Sequence, residues 1–572
     1  MPSPAAGKVL LVHLLVVSAA FGWVSALPEP VSLTREEWWQ WPAAPNSVQE
    51  AANAAAALRP ANVTNDAVVV SAAAGGAEAL WGKQGELWSP KGRLMDFSYA
   101  GYKQGSEPIP SPKVTKSFRE FQRSGMSDTA ALQAALAWAH KQPLNKWVVI
   151  GLPAGTIRLD RQLFIRRPRL ILRGAGSGKT ILRIDRPLKD TPGVTPLKGG
   201  YGFYNQEAFI MLDGRYMRDR KIATVTGTAR RGDRKVTVDT VSRMAVGQMI
   251  VLILSDKRGV LTRYLLNNRP LNPGSTTVNR YMVTRFASRI VAIKGKVLTL
   301  ERTLPFDVRP EYLPEILPQT GTVYDVGIEG LTFKFPFAYY GGHHYEDGYN
   351  CIQLWEVYNC WVKDVHGINV DNGLFIHKST AVQVNDLRLT QTKRRNPKKD
   401  PRFGDGHWGV HNGGSADVLV SGFTMTPELL HCVGSDAFGM YAVFSRGKMT
   451  NGNLELHRRV AGGLPVALAH ALFTDIDVGV GNHALQSGGP SHSGPNTQAW
   501  TVVWNVRSSK PIPLPGANGV KPGDCAFGPD LTLAGVNLER RKACAWWLIE
   551  TGPLSVTNLY EAQLAKRRRA QL

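Results

Sequence analysis

The sequence predicts an all-β protein: a right-handed single-stranded parallel β-helix with an N-terminal capping helix and a small β insertion. Three observations favour it: a short amphipathic helix, a strand–turn–strand unit directly after it, and short strands that recur along the rest of the chain. In such a solenoid each coil packs mainly on its neighbours, so recurring short strands are its sequence signature. At 572 residues the chain is long enough to bury a large core.

The capping helix is predicted over residues 128–140, with Ser127 or Asp128 as its N-cap. We expect its apolar face to plug the end of the core, because the apolar side chains recur with helical spacing. That face carries Ala131, Leu132, Ala135, Leu136 and Ala139.

The first coil begins with residues 148–159, which are typical of a strand, a Pro/Gly turn and a second strand, and a further strand starts at Leu170. Residues 221–322 change character and predict a β insertion with a long loop, after which the β-helix resumes. A coil takes roughly 20 residues or a little more, so longer spacings place loops on one face. The recurring strands align at Val362, Val384, Val420, Met449 and Phe473, with separations of 22, 36, 29 and 24 residues.

Two further stretches carry a resemblance to known proteins. LPAGTIRL at 152–159 and LRGAGSGKTIL at 172–182 resemble the opening of the pectate-lyase-like superfamily. The resemblance covers residues 96–510 and implies a carbohydrate-active β-helix, with the reaction left open. DFSYAGY at 96–102 and LFTDIDVGVG at 472–481 are similar to a bacterial branch of secreted, uncharacterised β-helix proteins, which brings no catalytic assignment.

The N-terminus is typical of a signal peptide, since Lys8 precedes an apolar run at 9–20 and small residues end at Ala26. The run is shorter than the roughly 20 residues that span a bilayer. We therefore expect cleavage, secretion to an extracellular wall or matrix, and no membrane attachment; the sequon at 62–64 fits that route. The expected organisation is 1–26 signal peptide, 27–95 N-terminal extension, 96–220 start of the β-helix with its capping helix, 221–322 β insertion and long loop, 323–510 main β-helix with the active-site groove, and 511–572 C-terminal segment and basic tail.

The formal net charge of +23 and the pI near 9.8 imply a polyanionic partner. Secretion, and basic residues interleaved with structure, argue against nucleic acid and favour an acidic polysaccharide. We expect a monomer. The five cysteines lack the close pairs of a structural zinc site, and the sequence shows no dense cluster of aspartates. No cofactor is therefore predicted, with calcium kept as the alternative because many lyases of the resembling superfamily use it.

Histidines give the strongest indication of a functional site. Eleven of the thirteen lie between positions 343 and 492, where the coils carry long loops. Stacked coils bring equivalent positions about 5 Å apart, so a line of imidazoles would face one groove. The members of that line are His407, His411, His431 and His457.

Cleavage of a polyuronate by β-elimination needs a cation against the C6 carboxylate, a base for the C5 proton and an acid for the leaving oxygen. His411 or His431 is predicted as the base and Tyr441 as the acid. Arginine binds carboxylates bidentately, which favours Arg458, beside the catalytic candidate His457, as part of a clamp. The predicted substrate-binding residues are His407, Trp408, Arg394, Arg395, Lys398, Lys399 and Arg459.

Two alternatives stay open. Residues 369–373 and 404–407 are similar to polygalacturonase motifs, although the adjacent Asp pair and the Arg-Ile-Lys triplet of that family are missing. A glycoside hydrolase needs two carboxyl groups about 5 to 9.5 Å apart, and Asp371, Asp405 and Asp436 are the residues to test. The second alternative is a non-catalytic wall or matrix protein that binds polyanions through the same groove.

Overall fold

The computed structural model describes the chain from Trp88 onward, and all of the described residues belong to one compact unit, Ser47–Leu572. The predicted signal peptide, most of the predicted N-terminal extension, and Lys398, Lys399, Arg458 and Arg459 lie outside the described residues. The described ranges are 88–89, 92–194, 203, 207–215, 221–255, 259–269, 283–396, 404–436, 438–457, 468–488, 496–517, 527–540, 544–550 and 554–571.

A capped helix closes the first coils, as predicted. Helix α1 spans Asp128–His140, and the side chain of Ser127 accepts a hydrogen bond from the backbone N–H of Ala130. Its apolar face belongs to the main hydrophobic core, so it covers the end of the solenoid. The elements of this part are β1 Lys116–Ser117, α1, β2 Val148–Gly151, β3 Gly155–Arg158, β4 Leu163–Ile165, β5 Leu170–Arg173, β6 Thr180–Arg183 and β7 Ile210–Asp213, with short 3-10 helices at Tyr102–Gly105, Phe118–Phe121 and Leu188–Asp190.

An antiparallel insertion interrupts the solenoid, as predicted. Its six strands lie in the order β8-β13-β10-β11-β12-β9, and its apolar side chains share a second hydrophobic cluster with the outer side of the β-helix. The elements are β8 Ala223–Thr224, β9 Lys235–Thr237, β10 Met249–Ser255, α2 Val260–Leu265, β11 Val283–Lys294, β12 Val297–Leu300 and β13 Glu315–Pro318, with a 3-10 helix at Pro310–Tyr312.

The remaining strands build the main coils and continue beyond the predicted end at residue 510. They are β14 Gly327–Lys334, β15 Asn350–Trp355, β16 Trp361–Ile368, β17 Asn372–His377, β18 Gln383–Thr390, β19 Trp408–Gly413, β20 Leu419–Met425, β21 His431–Asp436, β22 Ala442–Met449, β23 Leu454–Leu456, β24 Ala471–Asp477, β25 Gln486–Ser487, β26 Val502–Arg507, β27 Gly516–Ala517, β28 Thr532–Ala534 and β29 Leu548–Glu550, and helix α3 Leu559–Gln571 follows.

The strands alternate between two parallel sheets, which confirms the predicted right-handed parallel β-helix. Sheet A has the path β1-β2-β5-β14-β16-β18-β20-β22-β24-β26-β28-β29, and sheet B has the order β4-β7-β15-β17-β19-β21-β23. Successive strands of the chain therefore fall on different faces, while strands of successive coils pair in parallel. Among the described residues, none of the helices has the length and apolar run that crossing a bilayer requires.

Sheet A turns a corner at one position in each coil. The register skips this position, and φ there lies between 52° and 72°. Gly422 has a φ of 72° at this corner, a conformation that glycine adopts without the steric cost that a side chain adds. The corner residues are Gly330, Asp364, Asp386, Gly422, Arg446, Asp475 and Asn505.

The strand alignment from sequence is correct at four of its five positions. Val362, Val384 and Val420 are register partners in successive coils, and Phe473 closes the series. The position between Val420 and Phe473 belongs to Phe444, whereas Met449 is the last residue of β22. β22 has eight residues, and Met449 lies five positions after Phe444 in the same strand, so the alignment chose the wrong end of it.

The basic C-terminus, expected as a tail, forms helix α3. Gln563 accepts a hydrogen bond from the backbone N–H of Phe97 and donates one to the carbonyl of Met95. The Tyr560 hydroxyl donates to the carbonyl of Ala100, and the Arg567 guanidinium lies 4.0 Å from the ring centroid of Tyr99. The two ends of the described chain are therefore joined.

Candidate functional site

Sheet B carries the core on one face and ionisable side chains on the other. One ladder of paired residues, from Ile352 in β15 to Leu454 in β23, lies in the core. The neighbouring ladder faces away from the core, because side chains alternate along a strand. It is also buried, so other parts of the chain cover this face. Its members are Gln353, Phe375, His411, Gly434 and Glu455.

Four imidazole rings, the imidazole cluster, lie in contact beside this ladder: His343, His407, His431 and His457. Ring centroids are 4.7 Å apart for His343 and His407, 5.1 Å for His407 and His431, and 5.2 Å for His431 and His457. His407 directly precedes β19 and His431 begins β21, so parallel pairing places them side by side. The middle two rings are buried, whereas His343 is exposed and the His457 side chain is 22% exposed.

Two buried carboxyl groups hold the cluster. Oε1 of Glu346 lies 2.9 Å from Nδ1 of His407 and accepts a hydrogen bond of 2.7 Å from the hydroxyl of Tyr340. Glu455 lies between His431 and His457, with O–N distances of 3.3 Å and 3.0 Å. Each carboxyl group therefore fixes the orientation of the imidazoles next to it.

The two carboxyl groups have pKa values shifted in opposite directions. Burial raises the pKa of Glu346 to about 8. Burial also acts to raise the pKa of Glu455, but the charges and hydrogen bonds of His431 and His457 lower it to about 2. Burial and the neighbouring imidazoles hold the pKa of His407 well below its usual range. At neutral pH Glu346 is therefore protonated beside the neutral His407, whereas Glu455 is ionised and lies between His431 and His457.

His411 belongs to a second chain of polar groups. Nδ1 of His411 lies 3.0 Å from Nε2 of His377, and its Nε2 lies 3.5 Å from Oδ2 of Asp436. The indole of Trp408 lies between His411 and His431, with ring centroids 4.2 Å and 4.4 Å away. Trp408 is only 3% exposed, so it packs inside the site and does not offer a sugar-stacking surface.

Two overlapping groups of side chains can hold a metal ion. One is His343, His407 and His431; the other is His431, Glu455 and His457, and the donor atoms of each group lie within 4.8 Å of one another. Imidazole donors suit zinc and similar transition metals, whereas calcium takes about six to eight oxygen ligands. The calcium alternative therefore does not fit the donors of this site.

Asp371 and Arg395, predicted as a catalytic acid and a substrate clamp, are instead partners of each other. Nη2 of Arg395 lies 2.6 Å from Oδ1 of Asp371, and the two side chains are 1% and 2% exposed. The other oxygen of Asp371 accepts hydrogen bonds from the backbone N–H groups of Gly348 and Tyr349. These groups are satisfied inside the protein, so the structure gives them a role in the fold.

Asp405, named for the hydrolase alternative, is also buried and hydrogen-bonded to other groups of the protein. It is fully buried and accepts hydrogen bonds from the backbone N–H groups of Arg395 and Asn396. Arg394 joins Asp405 to Glu428 and keeps 52% of its side chain exposed. The carboxylate fastens this loop to the coil, which leaves Arg394 as the predicted clamp residue at the surface.

Tyr441, predicted as the acid, is not brought to the imidazole cluster. It precedes β22 of sheet A, and its ring packs edge-on against His470 at a centroid distance of 4.8 Å. It belongs to the hydrophobic cluster that the insertion shares with sheet A. Burial raises the pKa of its hydroxyl well above the usual value. Tyr441 stands close to His431 in sequence, but the consecutive strands β21 and β22 belong to different sheets.

Sequence reasoning missed the two carboxyl groups, Glu346 and Glu455. Glu455 had a readable signal: it stands between Leu454 and Leu456 of β23, both in the core, so alternation turns its side chain away from the core. Glu346 follows His343 and His344 in a loop, and only the fold brings it to His407.

No protein-family model matches the chain, and no curated protein matches it in sequence. Among solved structures, it is similar to a polygalacturonase from Erwinia carotovora (10% identity, 76% of this chain and 93% of that chain, TM-score 0.37). It is also similar to the A-module of a mannuronan C-5 epimerase from Azotobacter vinelandii (9% identity, 77% and 99%, TM-score 0.35). A third similar structure is the tailspike of Acinetobacter baumannii bacteriophage AP22 with a capsular saccharide (8% identity, 73% and 70%, TM-score 0.30). These scores are low, so the β-helix assignment stands on the strand pairing described above.

Proposed function

We propose that the chain is a secreted carbohydrate-active enzyme, a polysaccharide lyase that cleaves an acidic, uronate-containing glycan by β-elimination. One observation carries the proposal: two buried carboxyl groups lie in one imidazole cluster, Glu346 at 2.9 Å from Nδ1 of His407 and Glu455 at 3.0 Å from Nδ1 of His457, and their surroundings shift their pKa values in opposite directions. Environments that push two pKa values apart mark an acid and a base. Glu346 then supplies the proton for the leaving glycosidic oxygen, and because its side chain is buried this proton has to pass through the neighbouring imidazoles of His407 and the exposed His343.

The base in this proposal is His457. Its Nδ1 lies 3.0 Å from the ionised Glu455, which orients the ring and makes it more basic. Its side chain is also more exposed than those of His407 and His431, so it is the ring that a polymer reaches first among these three. His431, held by the same carboxylate, supports the arrangement from the buried side.

The acidic substrate class is supported by charge. A formal charge of +23 attracts polyanions, and Arg394, although paired with Asp405 and Glu428, keeps about half of its side chain exposed. A glycoside hydrolase is the second candidate, because Glu346 and Glu455 also provide the protonated and ionised carboxyl groups that hydrolysis needs.

The experiment is a product assay on polygalacturonate, alginate and glucuronan with the purified protein lacking residues 1–26. Formation of the unsaturated uronate, read by its ultraviolet absorbance, supports the lyase. New reducing ends without unsaturation support the hydrolase. Salt-sensitive retention on these polymers with neither product would contradict both and identify a binding protein.

A further inference from the structure

We propose that His343, His407 and His431 together bind one divalent transition-metal ion of the zinc class. The three residues come from three separate parts of the chain: the loop before β15, the residue before β19 and the first residue of β21. Only the stacking of coils brings them together, and their donor atoms lie within 4.8 Å of one another.

The spacing of the rings matches such a site. A metal–nitrogen bond of about 2.1 Å places the centroids of imidazoles around one tetrahedral ion roughly 5 Å apart. The observed centroid distances are 4.7 Å for His343 and His407, 5.1 Å for His407 and His431, and 6.2 Å for His343 and His431. A rotation of the exposed His343 ring is the adjustment needed to equalise them.

The two buried rings are backed by carboxyl groups, as metal-binding histidines commonly are. Glu346 lies 2.9 Å from Nδ1 of His407, and Glu455 lies 3.3 Å from Nδ1 of His431. Both carboxyl groups are in turn anchored, Glu346 by the hydroxyl of Tyr340 and Glu455 by the backbone N–H of Gly488. Both carboxyl groups lie on the Nδ1 side of their rings, which leaves Nε2 of His407 and Nε2 of His431 as the proposed metal ligands.

The competing group, His431 with Glu455 and His457, is the weaker choice. Oε1 of Glu455 already receives a hydrogen bond from Gly488 and lies 3.0 Å from Nδ1 of His457, and Oε2 lies 3.3 Å from Nδ1 of His431, so a metal ion bound there would have to displace these contacts. Three histidines leave a fourth position open for water or a substrate oxygen. The exposed His343 puts that position on the solvent side of the cluster.

The ion would also supply the positive charge that the proposed lyase needs against the uronate carboxylate, and this consequence rests on the proposed function. Arg395 forms a buried ion pair with Asp371, and Arg394 forms ion pairs with both Asp405 and Glu428. A divalent ion in the cluster would neutralise the uronate carboxylate, which raises the acidity of the C5 proton.

The test is metal binding by the untagged protein lacking residues 1–26. After removal of metal with a chelator, the protein is titrated with Co²⁺ and with Zn²⁺. We expect one equivalent of each, and visible cobalt bands of a tetrahedral site with nitrogen ligands. Absence of a bound equivalent in the unaltered protein would overturn the proposal, whether or not the protein cleaves a glycan.

Variants then assign the ligands. His343→Ala changes an exposed loop residue, so folding should survive, and we expect its metal affinity to fall at least about 100-fold. His366→Ala, on sheet A, is the matched control and should bind as the unaltered protein does. Unchanged binding by His343→Ala would overturn the proposed ligand set, and a loss of affinity in His457→Ala in that case would favour the competing group.

Discussion

At Glu346, burial holds a proton that an exposed glutamate releases near pH 4. Glu346→Gln keeps the shape and removes the acid, so kcat on the cleaved glycan should fall by about 10² to 10⁴-fold. In the unaltered enzyme kcat should decline as the pH rises through about 8, and the pH–rate profile of the variant should lack that decline. Comparison of the two pH–rate profiles checks this, with the exposed Glu311→Gln as control; equal profiles would remove Glu346 from the mechanism.

At Glu455 the pKa shift has the opposite direction to that at Glu346, because the folded state lowers the pKa of Glu455 to about 2. The stabilisation is present above the unfolded pKa of about 4.3 and is lost as the pH falls toward 2. Glu455→Gln breaks a buried contact to His431 and His457, so the free energy of unfolding should drop by about 3 to 5 kcal/mol at pH 7. Urea denaturation at a series of pH values from 7 downward should show that the two proteins become closer in free energy of unfolding as the solution becomes more acidic. A difference between them that does not depend on pH would contradict this account.

At the scale of elements, the Asp371–Arg395 pair fastens the loop before β19 to the coil beneath it. Arg395→Met leaves a buried carboxylate without its partner, which should cost about 3 to 5 kcal/mol. Arg394→Met is the matched change at the neighbouring position, and its half-exposed pairs should contribute about 0 to 1 kcal/mol. Urea denaturation of both variants tests the reassignment. Equal stability with lost substrate binding in Arg395→Met would restore the predicted clamp.

At the scale of the whole molecule, helix α3 connects the end of the chain with the segment before the first coil. Gln563→Ala leaves the backbone N–H of Phe97 and the carbonyl of Met95 without their partner, which should cost about 1 to 3 kcal/mol for each group. Arg569→Ala, on the exposed side of the same helix, should change the free energy of unfolding by less than about 0.5 kcal/mol. Equal melting temperatures for the two variants would show that the contact contributes little.

The solenoid could be predicted because its signals are local. Helix α1 has its N-cap, and the valines of β16, β18 and β20 repeat with the coil. The cluster could be predicted only in part: the imidazoles of His407, His431 and His457 meet as expected, but their carboxyl partners do not follow from spacing. Glu346 reaches His407 across 61 residues through a loop, and no local pattern encodes that contact.

Sheet membership explains the error at Tyr441. Residues close in sequence alternate between sheets A and B, so nearness along the chain is a poor guide to nearness in the fold. Tyr441 belongs to sheet A and the imidazoles to sheet B. The pairing of Asp371 with Arg395 was equally hidden, because burial, and not residue type, decides whether a charged side chain faces a substrate or a partner.

The contact between helix α3 and residues 94–105 also orders events during synthesis. Coils can stack one after another as the chain leaves the ribosome, since each needs only the coil made before it. The segment at 94–105 is made early, but its partners Tyr560, Gln563 and Arg567 are made only after all of the described coils. A nascent chain stopped before Leu559 therefore holds finished coils in which residues 95–100 still lack the hydrogen bonds that helix α3 provides.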